Sequence, residues 1–292
     1  MFGRILTAMV TPFQAQGGVN YAGAADLAAY LAANGSDGVV VAGTTGEAPN
    51  LSAEEKTELF RVVRRAVPAA CKVVGNVGTY STEESVKLAE AAQDTGIDGV
   101  MAVAPYYSKP SQEGIYRHFQ AIAAATPLPV MLYNVPGRTV VNILPDTVKR
   151  LSALPNITAL KEAGGSMEQM SELKLSLPAD FAVYAGDDSL TLPMLALGAR
   201  GVVSVAAHVV GLQMQRMIGA FTIGNTAEAL DWHTRLYPVF KNLFIAANPA
   251  PIKFVLETLG HPVGPCRLPL TEPNEQEREL LRATARLIQA LA

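Results

Sequence analysis

At 292 residues and 49% hydrophobic content the chain has enough apolar sequence for a large core, laid out as one big α/β barrel or two smaller domains. A formal charge of −3, with no basic block and no strongly acidic tail, leaves no electrostatic footprint for nucleic acid or an anionic membrane. Cys71 and Cys266 stand far apart and outside any C-x-x-C pair, which argues against a disulfide scaffold and fits reduced thiols in a cytosolic chain.

The N-terminal run Met1-Phe2-Gly3-Arg4-Ile5-Leu6 passes straight into strand-like sequence without a signal-peptide layout. No uninterrupted apolar stretch reaches the roughly 18 residues that a membrane span needs. A soluble, cytoplasmic protein is the expectation. Short β-rich runs then recur, with strands expected to begin near Ile5, Gly38, Lys72, Gly99, Pro129, Ile157, Phe181 and Gly201. Between them lie amphipathic stretches at Asp26 to Asn34, Ser52 to Ala66, Thr82 to Thr95, Gly114 to Ala125 and Pro145 to Leu154. Ser52-Ala53-Glu54-Glu55 and Ser81-Thr82-Glu83-Glu84 both have the spacing of a capping box at a helix start. Runs such as Val39-Val40-Val41-Ala42 and Val202-Val203-Ser204-Val205 suit strands covered on both faces.

Eight β/α units in succession predict a closed (β/α)8 TIM barrel. The chain beyond the eighth strand exceeds what one closing helix needs. Helices are expected over Leu212 to Phe221, Ala227 to Leu243, Ile252 to Leu259 and Glu275 to Leu291, with Asn248-Pro249-Ala250-Pro251 and the stretch from Gly260 to Pro273 as breaks. The expected organisation is a barrel over residues 1–224 and a small C-terminal helical appendage over 225–292.

In such a barrel the chemistry sits at the C-terminal ends of the strands. That rule selects Lys161, the only long cation of the apolar run Ile157-Thr158-Ala159-Leu160-Lys161-Glu162-Ala163. A lysine in an apolar cavity loses hydration of its charged form, so a neutral amine able to form a Schiff base becomes accessible near neutral pH. Strand alternation sends Lys161 and Glu162 to opposite faces, although an ammonium that snorkels to the rim or pairs with a remote carboxylate fits the run equally well. Gly43-Thr44-Thr45-Gly46-Glu47 offers hydroxyls and backbone N–H groups for a carboxylate, or an ordinary glycine turn. Tyr133, on the neighbouring strand, is a candidate proton shuttle or a core tyrosine. Arg138, after a Pro-Gly turn, suits a substrate carboxylate or a plain surface position. Asp187 and Asp188 read as helix caps before Ser189 to Leu195. His118, His208, His233 and His261 lack metal-ligand spacing and no dinucleotide or P-loop motif occurs, so neither metal nor cofactor is expected.

The order of Gly43-Thr44-Thr45-Gly46-Glu47, Tyr133-Asn134-Val135-Pro136-Gly137-Arg138-Thr139 and Leu160-Lys161-Glu162 along the chain resembles the pyruvate-dependent class I aldolase superfamily. The superfamily is typified by N-acetylneuraminate lyase and dihydrodipicolinate synthase. The double threonine and the Arg-Thr pair after the Tyr-Asn-Val-Pro turn are most similar to the dihydrodipicolinate synthase family. That resemblance implies that Lys161 condenses with pyruvate and that the resulting enamine attacks L-aspartate 4-semialdehyde, as in the diaminopimelate route to lysine. It also implies a proton relay of Tyr133, Thr44 and Tyr107, with Tyr107 reaching into a neighbouring subunit of a homotetramer built from two tight dimers. Thr45 and Val203 would border the pyruvate carboxylate, Arg138 would receive the semialdehyde carboxylate, and Gly186 would shape the pocket wall. Alternatives are a related aldolase cleaving N-acetylneuraminate or a 2-keto-3-deoxy sugar acid, and a non-catalytic barrel that binds a keto acid.

One departure concerns regulation. Where lysine-inhibited family members carry a small residue, histidine, histidine or glutamate, and asparagine, this chain has Pro49, Ala53, Lys56 and Tyr80, while Glu84 and Tyr106 match. A cation at Lys56 and the loss of polar partners imply weak or absent inhibition by L-lysine.

Overall fold

The computed structural model describes residues 2–291. Among them β1 (Ile5–Ala8), β2 (Gly38–Val41), β3 (Lys72–Asn76), β4 (Gly99–Val103), β5 (Val130–Asn134), β6 (Ile157–Glu162), β7 (Ala182–Ala185) and β8 (Gly201–Ser204) pair in parallel, and β8 closes on β1. The helices are α1 (Tyr21–Ala33), α2 (Ala53–Ala66), α3 (Thr82–Gln93), α4 (Gln112–Ala124), the short α5 (Pro136–Thr139), α6 (Pro145–Ser152), α7 (Met167–Ser176), α8 (Thr191–Ala196), α9 (Ala207–Thr222), α10 (Thr226–Asn242), α11 (Ala250–Thr258) and α12 (Glu275–Ala290). The (β/α)8 barrel with additional C-terminal helices is the expected architecture.

Strand alternation divides the core into two layers. Leu6, Val40, Val74, Met101, Met131, Tyr133, Ala159, Tyr184 and Val203 form the cluster enclosed by the strands. Their neighbours Ile5, Val39, Val73, Val100, Leu132, Leu160, Val183 and Val202 belong to the larger cluster under the helices. Because each strand is buried on both faces, its sequence reads as a largely apolar run without the alternation of a half-exposed strand.

Local signals are honoured unevenly. Ser52 forms a reciprocal capping box with Glu55. Ser81 caps α3 through the backbone N–H of Glu84, but the Glu84 carboxylate approaches Thr79 Oγ1 and does not return to the cap, so only half of the expected box exists. Helix α1 begins earlier than its apolar pattern suggests, because Asn20 accepts from the N–H of Gly23 and starts the helix at Tyr21. Asp187 caps the 3-10 turn Asp188–Leu190, as expected. Asp188 does not cap that turn. It is wholly buried and accepts from Ser204 Oγ and the N–H groups of Val205 and Ala206, holding the end of β8. Burial pushes its carboxyl up to about 6, against the pull of those donors.

His208 ties the two ends of the sheet closure together. Its Nε2 accepts the N–H of Val10 at 3.1 Å and its Nδ1 lies 2.8 Å from the carbonyl of Val205, which fixes the neutral tautomer. Burial pulls its pKa down to about 4 from the ordinary 6.5. A folded pKa below the unfolded one means that this stabilisation is complete above pH 6.5 and is lost as pH falls toward 4. The Tm advantage of the wild type over H208Q, measured by calorimetry from pH 7.5 to 4, should therefore shrink across that window, and a constant difference would count against the buried neutral imidazole.

Candidate active site

Lys161 projects into the barrel interior near the C-terminal end of β6, directly in register with Tyr133 on β5 and Tyr184 on β7. It is 5% exposed, so the ammonium does not snorkel to the rim. Among the described residues no carboxylate oxygen lies within ion-pairing distance of its Nζ. Its nearest aromatic neighbour is Tyr133, 4% exposed, whose ring centroid is 4.1 Å from Nζ. Below them Tyr184 is fully buried and donates its hydroxyl to the carbonyl of Gly3 at 2.9 Å. Burial pushes that phenol up to about 12, which suits a structural donor at the barrel floor.

Glu162 points the other way. Its carboxylate accepts from Asn134 Nδ2, from the N–H of Gly164 at 2.6 Å and from Gln169 Nε2 at 3.1 Å. Burial raises its pKa above the usual carboxylate range and the three donors pull it back. Lysine and glutamate adjacent in sequence are thus separated by the wall of the barrel.

Above Tyr133 a cavity of about 360 Å³ opens at the mouth of the barrel, with Thr44, Val103, Val135, Arg138 and Thr139 in its wall. Neither Lys161 nor Tyr133 is among the residues that line it. Thr44 faces this cavity. Thr45 is buried, and its Oγ1 accepts from Asn248 Nδ2 at 2.8 Å. Arg138 sits exposed on α5, a one-turn helix set by Pro136, and among the described residues it has no ion-pair partner. Val203 belongs to the enclosed cluster with Tyr133. Gly186 follows β7 and donates its N–H to the carbonyl of Glu162 at 2.7 Å. Tyr107 stands apart, 90% exposed on the loop after β4 with φ of 74°, and among the described residues it makes no hydrogen bond to any of these groups.

The structure therefore gathers Tyr133, Lys161 and Val203 in the barrel, brings Thr44 and Arg138 to one cavity above them, and leaves Tyr107 outside. Asn248 is the neighbour that sequence reasoning could not place. Its side chain is buried and its Oδ1 has no partner. The proline-rich break around it signalled an irregular segment, but not which loop that segment meets.

This geometry agrees with the wider comparisons. A family model described as the dihydrodipicolinate synthetase family matches residues 1–288. The chain belongs to that family. A 4-hydroxy-tetrahydrodipicolinate synthase from Desulforamulus reducens is 55% identical over 282 residues, covering 96% of this chain and 95% of that protein. The lysine-bound structure of the enzyme from Cyanidioschyzon merolae superposes with a TM-score of 0.97 at 49% identity, over 99% of this chain and 98% of that one. Dihydrodipicolinate synthase from Bacillus anthracis gives 0.96 at 50% identity, over 98% of each chain. Among the described residues no group of His, Cys, Asp and Glu has the arrangement of a metal site, and no helix is long and apolar enough to cross a membrane.

The close fit at Gly186 gives a direct test. A Cβ there would lie 2.6 Å from Ala163 Cβ and 3.1 Å from the carbonyl of Glu162, so alanine must force β6 and β7 apart beside Lys161. Overpacking of this kind costs about 1–3 kcal/mol. G186A should lower Tm and reduce kcat/KM by roughly tenfold or more; unchanged kinetics would show that the strand ends tolerate the displacement.

Proposed function

We infer that this chain catalyses the Schiff-base condensation of pyruvate with L-aspartate 4-semialdehyde to give 4-hydroxy-tetrahydrodipicolinate, the committed step of lysine formation through diaminopimelate. The observation that carries the reading is a buried lysine, without a counter-ion among the described residues, against a buried tyrosine inside a barrel of this family. The reaction needs a neutral amine as its nucleophile, and Lys161 supplies the amine.

In this mechanism the Nζ of Lys161 attacks C2 of pyruvate and water leaves as the imine forms. Loss of a methyl proton gives an enamine, whose carbon bonds to the aldehyde carbon of the second substrate. The substrate's own amine then attacks the imine carbon, closing the ring and releasing Lys161. Tyr133, Thr44 and Tyr107 carry the protons, with Tyr107 supplied by a neighbouring subunit. Its near-complete exposure here is compatible with that arrangement. Thr45 and Val203 border the pyruvate carboxylate, Arg138 receives the carboxylate of the semialdehyde at the mouth, and Gly186 forms the wall. Residues 1–224 make the catalytic barrel and 225–292 its helical support. The working form is a cytoplasmic homotetramer, a dimer of dimers.

Borohydride reduction in the presence of pyruvate should add one pyruvate-derived mass, mapping to Lys161, and K161M should lose that adduct together with at least about a thousandfold of turnover. A folded K161M with wild-type turnover would overturn the assignment, and faster retro-aldol cleavage of N-acetylneuraminate than condensation would move it to the sugar-acid lyases.

Regulation follows from the outer part of the same cavity. Lys56, 7% exposed, lines it together with Pro49, Tyr80, Glu84 and Tyr106. Burial lowers the pKa of Lys56 and Glu84 partly restores it. A lysine effector would bring its own cations beside this one, with fewer polar partners to offset the repulsion. L-lysine at millimolar concentration should leave the rate in a coupled assay nearly unchanged, whereas a micromolar inhibition constant would refute the reading.

A further inference from the structure

The loop that supplies Thr44 and Thr45 ends at Glu47, which occupies the left-handed region with φ of 58° although it carries a full side chain. The loop closes on itself through Glu47 N–H to the Thr44 carbonyl and Ala48 N–H to the Gly43 carbonyl, and Thr11 Oγ1 donates to the carbonyl of Gly46. The first two bonds shape the loop, and the third ties it to the segment after β1.

A second anchor is electrostatic and comes from the C-terminal region. The carboxylate of Glu47 is fully buried, and its Oε1 lies 2.8 Å from Nζ of Lys253 on α11, an ionic contact off the axis of a directed hydrogen bond. Its Oε2 accepts the N–H of Arg267 at 2.9 Å. Lys253 also donates to the carbonyl of Pro265 and sits 4.4 Å above the ring of Phe13. The Arg267 guanidinium packs on the same ring, also at 4.4 Å, binds the carboxylate of Glu55 and donates to the carbonyls of Gly17 and Asn50. Just before α11, Asn248 reaches Thr45. The C-terminal region therefore holds the loop twice, at Thr45 and at Glu47.

A buried ion pair is a poor source of net stability, because desolvation offsets most of the attraction. The pair nevertheless holds the loop against α11, because a separated partner would be left buried and unpaired, and the directed bond from the Arg267 N–H to Glu47 Oε2 fixes the orientation of the carboxylate. We propose that Glu47 and Lys253 are positioning residues for pyruvate, setting Thr45 at the distance from Lys161 that its carboxylate requires. The inference rests on the functional reading above and gives the C-terminal helices a part in substrate binding.

The test compares wild type, the nearly isosteric E47Q and the charge-neutral double variant E47Q/K253M. Wild type must first take up pyruvate at Lys161 under borohydride; if it does not, the functional reading fails and this inference with it. With wild type labelled, both variants should raise KM for pyruvate about tenfold while kcat and KM for the semialdehyde stay within about threefold. Wild-type KM for pyruvate in folded variants overturns the proposal while leaving the functional reading intact. So does a parallel loss of Tm and kcat without a selective change in KM, and so does failure of both variants to fold, since the pair would then be an ordinary stability contact.

Discussion

A primary amine enclosed by apolar strands, with no carboxylate in ion-pairing reach among the described residues, is the constraint around which the rest of the molecule is arranged. Lys161 is 5% exposed and is held between the strands on either side. Tyr133 lies against Nζ and Tyr184 closes the floor through its bond to Gly3. Placing the one nearby carboxylate, Glu162, on the opposite face of β6 keeps it from pairing with the amine. Strand periodicity thus bears directly on the proposed chemistry, since a one-residue slip would exchange the two groups and bury a carboxylate where the proposed nucleophile stands.

Much of this was legible in the chain. The strand starts at Ile5, Gly38, Lys72, Gly99, Ile157 and Gly201 agree with the apolar runs, because strands buried on both faces cannot hide their β-branched content. Lys161, Tyr133, Thr44 and Arg138 could be picked out because the chemistry of a barrel collects at the strand ends. Helix α7 was missed for a physical reason: only Met170 and Leu173 are buried, and Leu175 is 90% exposed, so its apolar pattern is weak. Asp188 misled because aspartate before a helix ordinarily caps it, whereas here the carboxylate serves β8. Asn248 could not be placed at all, since its partner Thr45 is 203 residues away in sequence and no local pattern encodes such a contact.

Depth separates the proposed roles within the site. The amine and the tyrosine lie in the closed barrel, while Arg138 stands exposed at the mouth of the cavity above them. A guanidinium needs water until a carboxylate arrives, and an exposed position keeps it solvated at little cost. The amine has the opposite requirement. In the proposed reaction the small keto acid would occupy the deeper level and the larger semialdehyde the level above it, so that the vertical order of the groups would match the order in which bonds form.

What keeps that order rigid is a polar network outside the barrel. Asn134 follows Tyr133, and Glu162 follows Lys161. The Asn134 amide binds both the Glu162 carboxylate and Asn142 Oδ1, while its carbonyl accepts from Ala163. Asn142 and Gln169 exchange further hydrogen bonds, and Gln169 returns to Glu162, joining the segment after α5 to α7. The Glu162 carboxylate thus meets only donors, which is the condition under which a buried charged network stiffens a structure without weakening it. Apolar packing alone would let β5 and β6 slide by fractions of an ångström at low cost. Directional bonds one residue beyond the tyrosine and the lysine remove that freedom where the proposed reaction is most sensitive to distance.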